Sequence, residues 1–254
     1  MPNPAEINSR IIFDIDQTIA AGVVAAHLTQ YNSAFRLGMS PTEILEADSK
    51  YALTFDVPQI QNVRQINEEG FQRIRAQIRT SPEVHLNLTP IAGSQAGVET
   101  ISNSFIHAGY YTVRPAEVEQ ASHQWLRTNN FPEPDKVVIC ETPLDKLRKI
   151  LHDHILTDDF QLKNDMTNVI LIDDGLPKLI EAAKILTKED ERYKLGLQRL
   201  IIVGFGNQKE KALEGTIIPD INLRALRLSS WDTNEVSGLI ARLKTEPGAV
   251  QPNS

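Results

Sequence analysis

The stretch RIIFDIDQTIA, residues 10–20, decides the fold. Its apolar run ends in Asp14 and Asp16, two carboxylates one residue apart, and Thr18 follows. Taking a carboxylate out of water is costly unless a cation or hydrogen-bond donors compensate it. A buried strand that ends this way therefore implies positive charge beside it. Working outward, a second acidic pair, Asp173 and Asp174, closes the apolar run NVILIDDG at residues 168–175. Further apolar runs stand at GYYTV (109–113), KVVICE (136–141) and LQRLIIVGF (197–205), separated by helical patterns. That alternation predicts an α/β fold, a Rossmann-like doubly wound parallel sheet covered by helices.

The helix signals between the runs fit this layout. Ser94 is placed to cap SQAGVETISNSFIHAG, with Val98, Ile101 and Phe105 at helical spacing and Gly109 as the stop. Pro115 is placed to start PAEVEQASHQWLRTNN, where Trp125 and Leu126 read as the buried face. Thr142 caps TPLDKLRKIL, with Pro143 at the first helical position. One interval breaks the rhythm. Residues 20–88 show helical patterns without a buried strand and read as an inserted helical domain, leaving 1–19 and 89–254 as a discontinuous core. Within the insertion Ser40, Pro41 and Glu43 form a capping box, and Ile60, Val63, Asn67, Phe71, Ile74 and Ile78 make one helical stripe, read as core packing. The polar, proline-containing residues 245–254 read as a disordered tail.

Composition excludes several classes. The 254 residues are 41% hydrophobic and 23% charged, as in an ordinary globular protein. A net charge of -7 without a lysine or arginine run argues against nucleic acid as a partner. No apolar run approaches the ~18 residues that span a bilayer, and no leader pattern opens the chain, so the expectation is a cytoplasmic protein with no membrane partner. The single cysteine, Cys140, excludes an internal disulfide and reads as a buried small hydrophobe.

Two strands that deliver carboxylates at their C-terminal ends place them on the edge where doubly wound sheets bind ligands. Carboxylates converging there require a cation, and an all-oxygen set suits magnesium completed by a substrate phosphate. Thr112 closes another strand, and Lys146 lies in the first turn of a helix, where dipole and ammonium both suit an anion. Other patterns carry less. GFGNQK at 204–209 has Lys209 where a dinucleotide loop needs glycine, and His152 and His154 stand two apart on a predicted helix, on opposite faces.

In FDIDQTIA, YYTVRP, Lys146 and VILIDD, taken in that order, the sequence resembles the haloacid dehalogenase superfamily hydrolases of the aspartate-nucleophile phosphatase type. The resemblance covers about residues 9–19 and 90–230 and implies a Rossmann-like core, with the insertion as a helical cap. It implies Asp14 as nucleophile, Asp16 as general acid and base, and Thr112 and Lys146 as phosphoryl-binding groups. Magnesium would be held by the Asp14 carboxylate, the Asp16 backbone carbonyl and Asp174, with Asp173 in indirect contact. Lys149, one helical turn on, and Lys136 compete with Lys146 for the lysine role, and Gln17 stands where the family often has glycine. Arg114 is a further candidate for substrate contact, with a surface salt bridge as the equal alternative.

The resulting expectation is a magnesium-dependent phosphomonoester hydrolase acting on a small phosphorylated metabolite through an aspartyl-phosphate. A phosphotransferase or nucleotidase would use the same residues. A non-catalytic binding protein retaining the pocket is a third reading, and a dehalogenase, which has no need of four carboxylates, a weaker one. A long cap hinders a polymeric substrate. Arg36, Lys50, Arg64, Arg73, Arg75, Arg79 and His85 in the insertion are candidates to bind a carboxylate or second phosphate. The oligomeric state is not legible.

Overall fold

The computed structural model describes residues 9–51, 54–163, 168–206, 217–218, 221 and 223–245. Along the chain, β1 (Arg10–Phe13) and β2 (Ala20–Ala21) precede α1 (Val23–Phe35), α2 (Pro41–Lys50), α3 (Pro58–Ile66), α4 (Glu68–Arg79) and α5 (Pro82–Leu86). Then come β3 (Thr89–Pro90), α6 (Ser94–Ser102), β4 (Ile106–Thr112), α7 (Glu119–Thr128), β5 (Val137–Ile139) and α8 (Pro143–Ile150). The chain continues through β6 (Val169–Asp173), α9 (Leu176–Glu189), α10 (Tyr193–Leu197), β7 (Leu200–Phe205), β8 (Ile217–Ile218), β9 (Leu223–Leu228) and α11 (Thr233–Thr245).

The main sheet has the order β5-β4-β1-β6-β7-β9-β8, parallel throughout except for β8, which pairs antiparallel with β9. Strand periodicity makes the two cores. In β1, Ile11 and Phe13 face one side with Ile170 and Ile172 of β6, while Ile12 faces the other with Val169 and Leu171. Helices α6, α7 and α11 cover the first face, and α8, α9 and α10 the second. A sheet buried on both faces needs apolar residues at successive positions, as the run RIIF supplies.

A third apolar cluster belongs to the segment between β2 and β3. Leu28 and Tyr31 of α1, Ile44 of α2, Ile60 of α3, and Phe71 and Ile78 of α4 bury together, with Tyr31 stacked on Phe71 at 5.1 Å between ring centroids. Where this segment leaves and returns, β2 pairs antiparallel with β3. Trp125 of α7 secures the return by donating from Nε1 to the Leu88 carbonyl at 2.7 Å.

Several local expectations need correction. The stripe from Ile60 to Ile78 is two helices, because Asn67 ends α3 and its side chain accepts from the Gly70 amide at 2.9 Å to start α4. Its apolar members are nevertheless core, as their spacing predicts. Gly109 does not stop a helix. Helix α6 ends at Ser102, and Gly109 sits inside β4 at φ 132, where the register to β1 shifts and a Cβ would meet the Lys136 carbonyl at 2.6 Å. Ser94 is the first residue of α6, not its cap, and its hydroxyl donates to the Ile19 carbonyl at 3.2 Å. A 3₁₀ turn, Ala116–Val118, stands between Pro115 and α7. The capping box at Ser40 and the Thr142 cap form as read.

His152 and His154 lie on a π-helical turn, Leu151–Ile155, and turn to different partners, the Tyr193 and Tyr111 hydroxyls at 3.2 and 2.8 Å. Cys140 is buried, and burial pushes its thiol up to about 12. The tail 246–254 and residues 207–209 of GFGNQK lie outside the described residues. No helix among the described residues is long and apolar enough to cross a membrane.

Candidate active site

Strand order brings the chemistry together. With β1 between β4 and β6, the C-terminal ends of these three strands bring Asp14, Thr112, Asp173 and Asp174 onto one edge of the sheet. The Asp14 amide donates to the Ile172 carbonyl at 2.9 Å, extending the β1–β6 pairing to the first acidic residue. From α8, Lys146 places Nζ 2.6 Å from both Asp14 Oδ1 and Asp173 Oδ2. All three side chains are at least nine-tenths buried. This is the compensating charge that the acidic strand ends require. Lys149 turns away to the Ile139 carbonyl and Asp145, and Lys136 to the His107 carbonyl and Glu133.

One lysine does not neutralise three acids. Asp14, Asp173 and Asp174 each offer an oxygen, and the three lie within 4.8 Å of one another. Burial, followed by the charges of Asp173 and Asp14, raises the Asp174 carboxyl well above its ordinary value. Burial likewise raises that of Asp14, with Lys146 opposing it. Lys146 is held protonated because the two carboxylates outweigh its burial. Such a cluster of converging oxygens with excess negative charge fits a hard divalent cation such as magnesium.

The turn after β1 sets Asp16 and Thr18. Gln17 adopts φ 58, the left-handed region that glycine enters freely, which gives a backbone reason for glycine at this position. Thr18 is fully buried; its hydroxyl accepts from the Asp174 amide at 3.0 Å and its carbonyl from Trp231 Nε1 at 2.7 Å. Trp231, which no sequence motif marks, stacks on Phe205 at 5.3 Å and so ties this turn to the core.

Asp16 does not share the lysine. Its carboxylate receives Arg114 Nε at 3.0 Å and Nη2 at 2.5 Å, and Arg114 Nη1 donates to Ser122 at 2.9 Å. Burial acts to raise the Asp16 carboxyl, but the Arg114 charge and hydrogen bonds prevail and hold it below its ordinary value. Arg114 thus faces Asp16 first and lines the cavity beside it.

These groups form the floor of a cavity of about 430 Å³, large enough for a small molecule. The opposite wall comes from the helical segment through His27, Tyr31, Phe55, Arg75, Arg79 and His85. His27, Tyr31 and Phe55 carry no sequence signal that separates them from core. Arg36, Lys50, Arg64 and Arg73 are not on the cavity.

No family model matches the sequence, and no curated protein matches it. Solved structures do. A predicted phosphatase from Clostridium acetobutylicum is 12% identical at TM-score 0.51, over 93% of this chain and 98% of that one. A haloacid dehalogenase-superfamily hydrolase, subfamily IA, variant 1, from Geobacter sulfurreducens PCA is 12% identical at TM-score 0.49, over 94% and 98%. With the Asp14 strand flanked by those of Thr112 and Asp173, the chain has an α/β fold with a parallel core sheet, and it shares the fold of the predicted phosphatase from Clostridium acetobutylicum.

Proposed function

We propose that the protein is a magnesium-dependent phosphomonoesterase, with residues 1–19 and 89–254 as its core and 20–88 as a helical cap over the site. The observation that carries this reading is Lys146 Nζ bridging Asp14 and Asp173 at 2.6 Å, with Asp174 and Thr112 at the same sheet edge. A single buried cation between carboxylates on adjacent strands gives a pocket for a transferring phosphoryl group.

In the first displacement an Asp14 carboxylate oxygen attacks phosphorus. The ester P–O bond breaks, and the leaving oxygen takes a proton from Asp16. In the second, Asp16 accepts a proton from water, the water oxygen attacks phosphorus, and inorganic phosphate leaves as the Asp14 carboxylate is restored. The two steps place opposite demands on Asp16, and the Arg114 contact favours the second by keeping its carboxyl ionised. Lys146 holds Asp14 in place and donates toward the phosphoryl oxygens, and the Thr112 hydroxyl donates beside it. A bound magnesium ion, held by the Asp14 carboxylate, the Asp16 backbone carbonyl and Asp174, would neutralise phosphoryl charge. Asp173 serves through Lys146 and by accepting from the Gly175 amide at 2.6 Å.

Hydrolysis of an aryl phosphate tests the reading. Turnover should require added magnesium and vanish in Asp14→Asn. Full activity in excess chelator contradicts the metal assignment.

A further inference from the structure

The cavity has two charge regimes. On its floor the buried cations have acidic partners, Lys146 with Asp14 and Asp173, and Arg114 with Asp16. On the wall from the helical segment, Arg75 and Arg79 stand at i and i+4 of α4 and both line the cavity. Their contacts are neutral. Arg75 lies 4.9 Å over the Phe55 ring centroid and donates to the Gln72 side chain at 3.4 Å. Arg79 donates at 3.4 Å to the Val113 carbonyl, immediately after Thr112. Among the described residues neither has a carboxylate within ion-pair distance, unlike Arg64 on α3, which pairs with Glu68.

His85 adds an independent observation on the same wall. It is 5% exposed, and its Nε2 lies 2.9 Å from the Arg79 carbonyl. A carbonyl only accepts, so Nε2 carries the proton, and the bond fixes the end of α4 from which Arg79 projects. Burial first, then the Arg114 charge, lowers the ring's affinity for a second proton. Nδ1 is thereby a buried polar atom without a partner, on a residue that lines the cavity. With the proton on Nε2, Nδ1 is an acceptor, so it suits a donor on the ligand such as a hydroxyl and leaves an anionic group to the two guanidiniums.

We infer that the substrate is a small phosphomonoester whose carbon skeleton carries a second anionic group, a carboxylate or a second phosphate, seated by Arg75 and Arg79. This rests on the phosphomonoesterase reading for the place of the first phosphoryl group. Two guanidiniums on one helix face provide forked donors for a planar carboxylate or a phosphate, and the enclosed volume suits a short skeleton between the two anions.

Calorimetric titration of the full chain in magnesium with three non-hydrolysable probes tests it: propylphosphonate, phosphonopropionate and propane bisphosphonate. At least one doubly anionic probe should bind about tenfold or more tightly than propylphosphonate, and the tighter of the two identifies the source of the second charge. Arg75→Gln and Arg79→Gln should each cut that ratio to about threefold or less, while Arg79→Lys should keep part of it. Equal binding of all probes, no binding of any, or a ratio unchanged in both glutamine variants overturns the inference. Aryl phosphate turnover separates the two claims. Turnover with equal probe binding leaves the hydrolase and removes the second-anion site; an intact ratio without turnover does the reverse.

Discussion

The two walls of the cavity hold their positive charge differently. At the sheet edge, Lys146 and Arg114 are buried against Asp14, Asp173 and Asp16, and each cation is part of the fold's electrostatic closure. On the helical wall, Arg75 and Arg79 touch a ring, an amide and a carbonyl, and the fold does not need their charge. The difference teaches that the positive charge on one wall is required by the buried acids beside it, while the charge on the other wall is not required by any acidic partner among the described residues.

Removing one cation at a time sharpens the contrast. Lys146→Ala should have the largest effect, because it strands two buried carboxylates; loss of one partner of a buried pair costs about 3–5 kcal/mol. Urea unfolding measures it, and added magnesium should restore part of the loss. Arg114→Gln should cost less, about 2 kcal/mol at neutral pH, since the Asp16 side chain is 30% exposed and water can reach it. That cost should depend on pH. A folded carboxyl held below its ordinary 3.8 lends stability above that value and loses it as pH falls through the lowered one, so wild type and variant should converge in acid. Arg75→Gln or Arg79→Gln should change stability by no more than about 0.5 kcal/mol, as neither leaves a carboxylate unpaired. A loss from either as large as that of Lys146→Ala would erase the distinction between the walls.

The same division explains what the sequence discloses. Asp14, Asp16, Asp173 and Asp174 are legible because strand ends are local events: an apolar run stops, and the next residues lie on the sheet's ligand edge. Lys146 is less so. Lys149 lies one turn away, and the choice depends on how α8 packs on α9, with Lys149 on the Ile139 carbonyl instead. Arg114 reads in sequence either as a substrate contact or as a salt-bridge partner, and the structure pairs it with Asp16 while leaving it on the cavity lining. In the helical segment, seven basic side chains look equivalent in sequence, and only the tertiary arrangement places Arg75, Arg79 and His85 on the cavity. Helix and strand boundaries failed where one residue carries two meanings. Gly109 is a helix stop by type and a strand irregularity by position, and Asn67 fits an apolar stripe by spacing while capping a new helix.

At the centre of the proposed chemistry, the two aspartates of FDIDQTIA do different work, Asp14 as nucleophile and Asp16 as proton carrier. Asp16→Asn should lower turnover by about 10²–10⁴-fold while keeping the attacking group. Rapid-quench measurement of acid-stable phosphoprotein, with an aryl phosphate and magnesium, separates the roles most directly. The division of roles predicts trapped phosphoprotein in Asp16→Asn and none in Asp14→Asn. Phosphoprotein in Asp14→Asn equal to that of the wild type would contradict it.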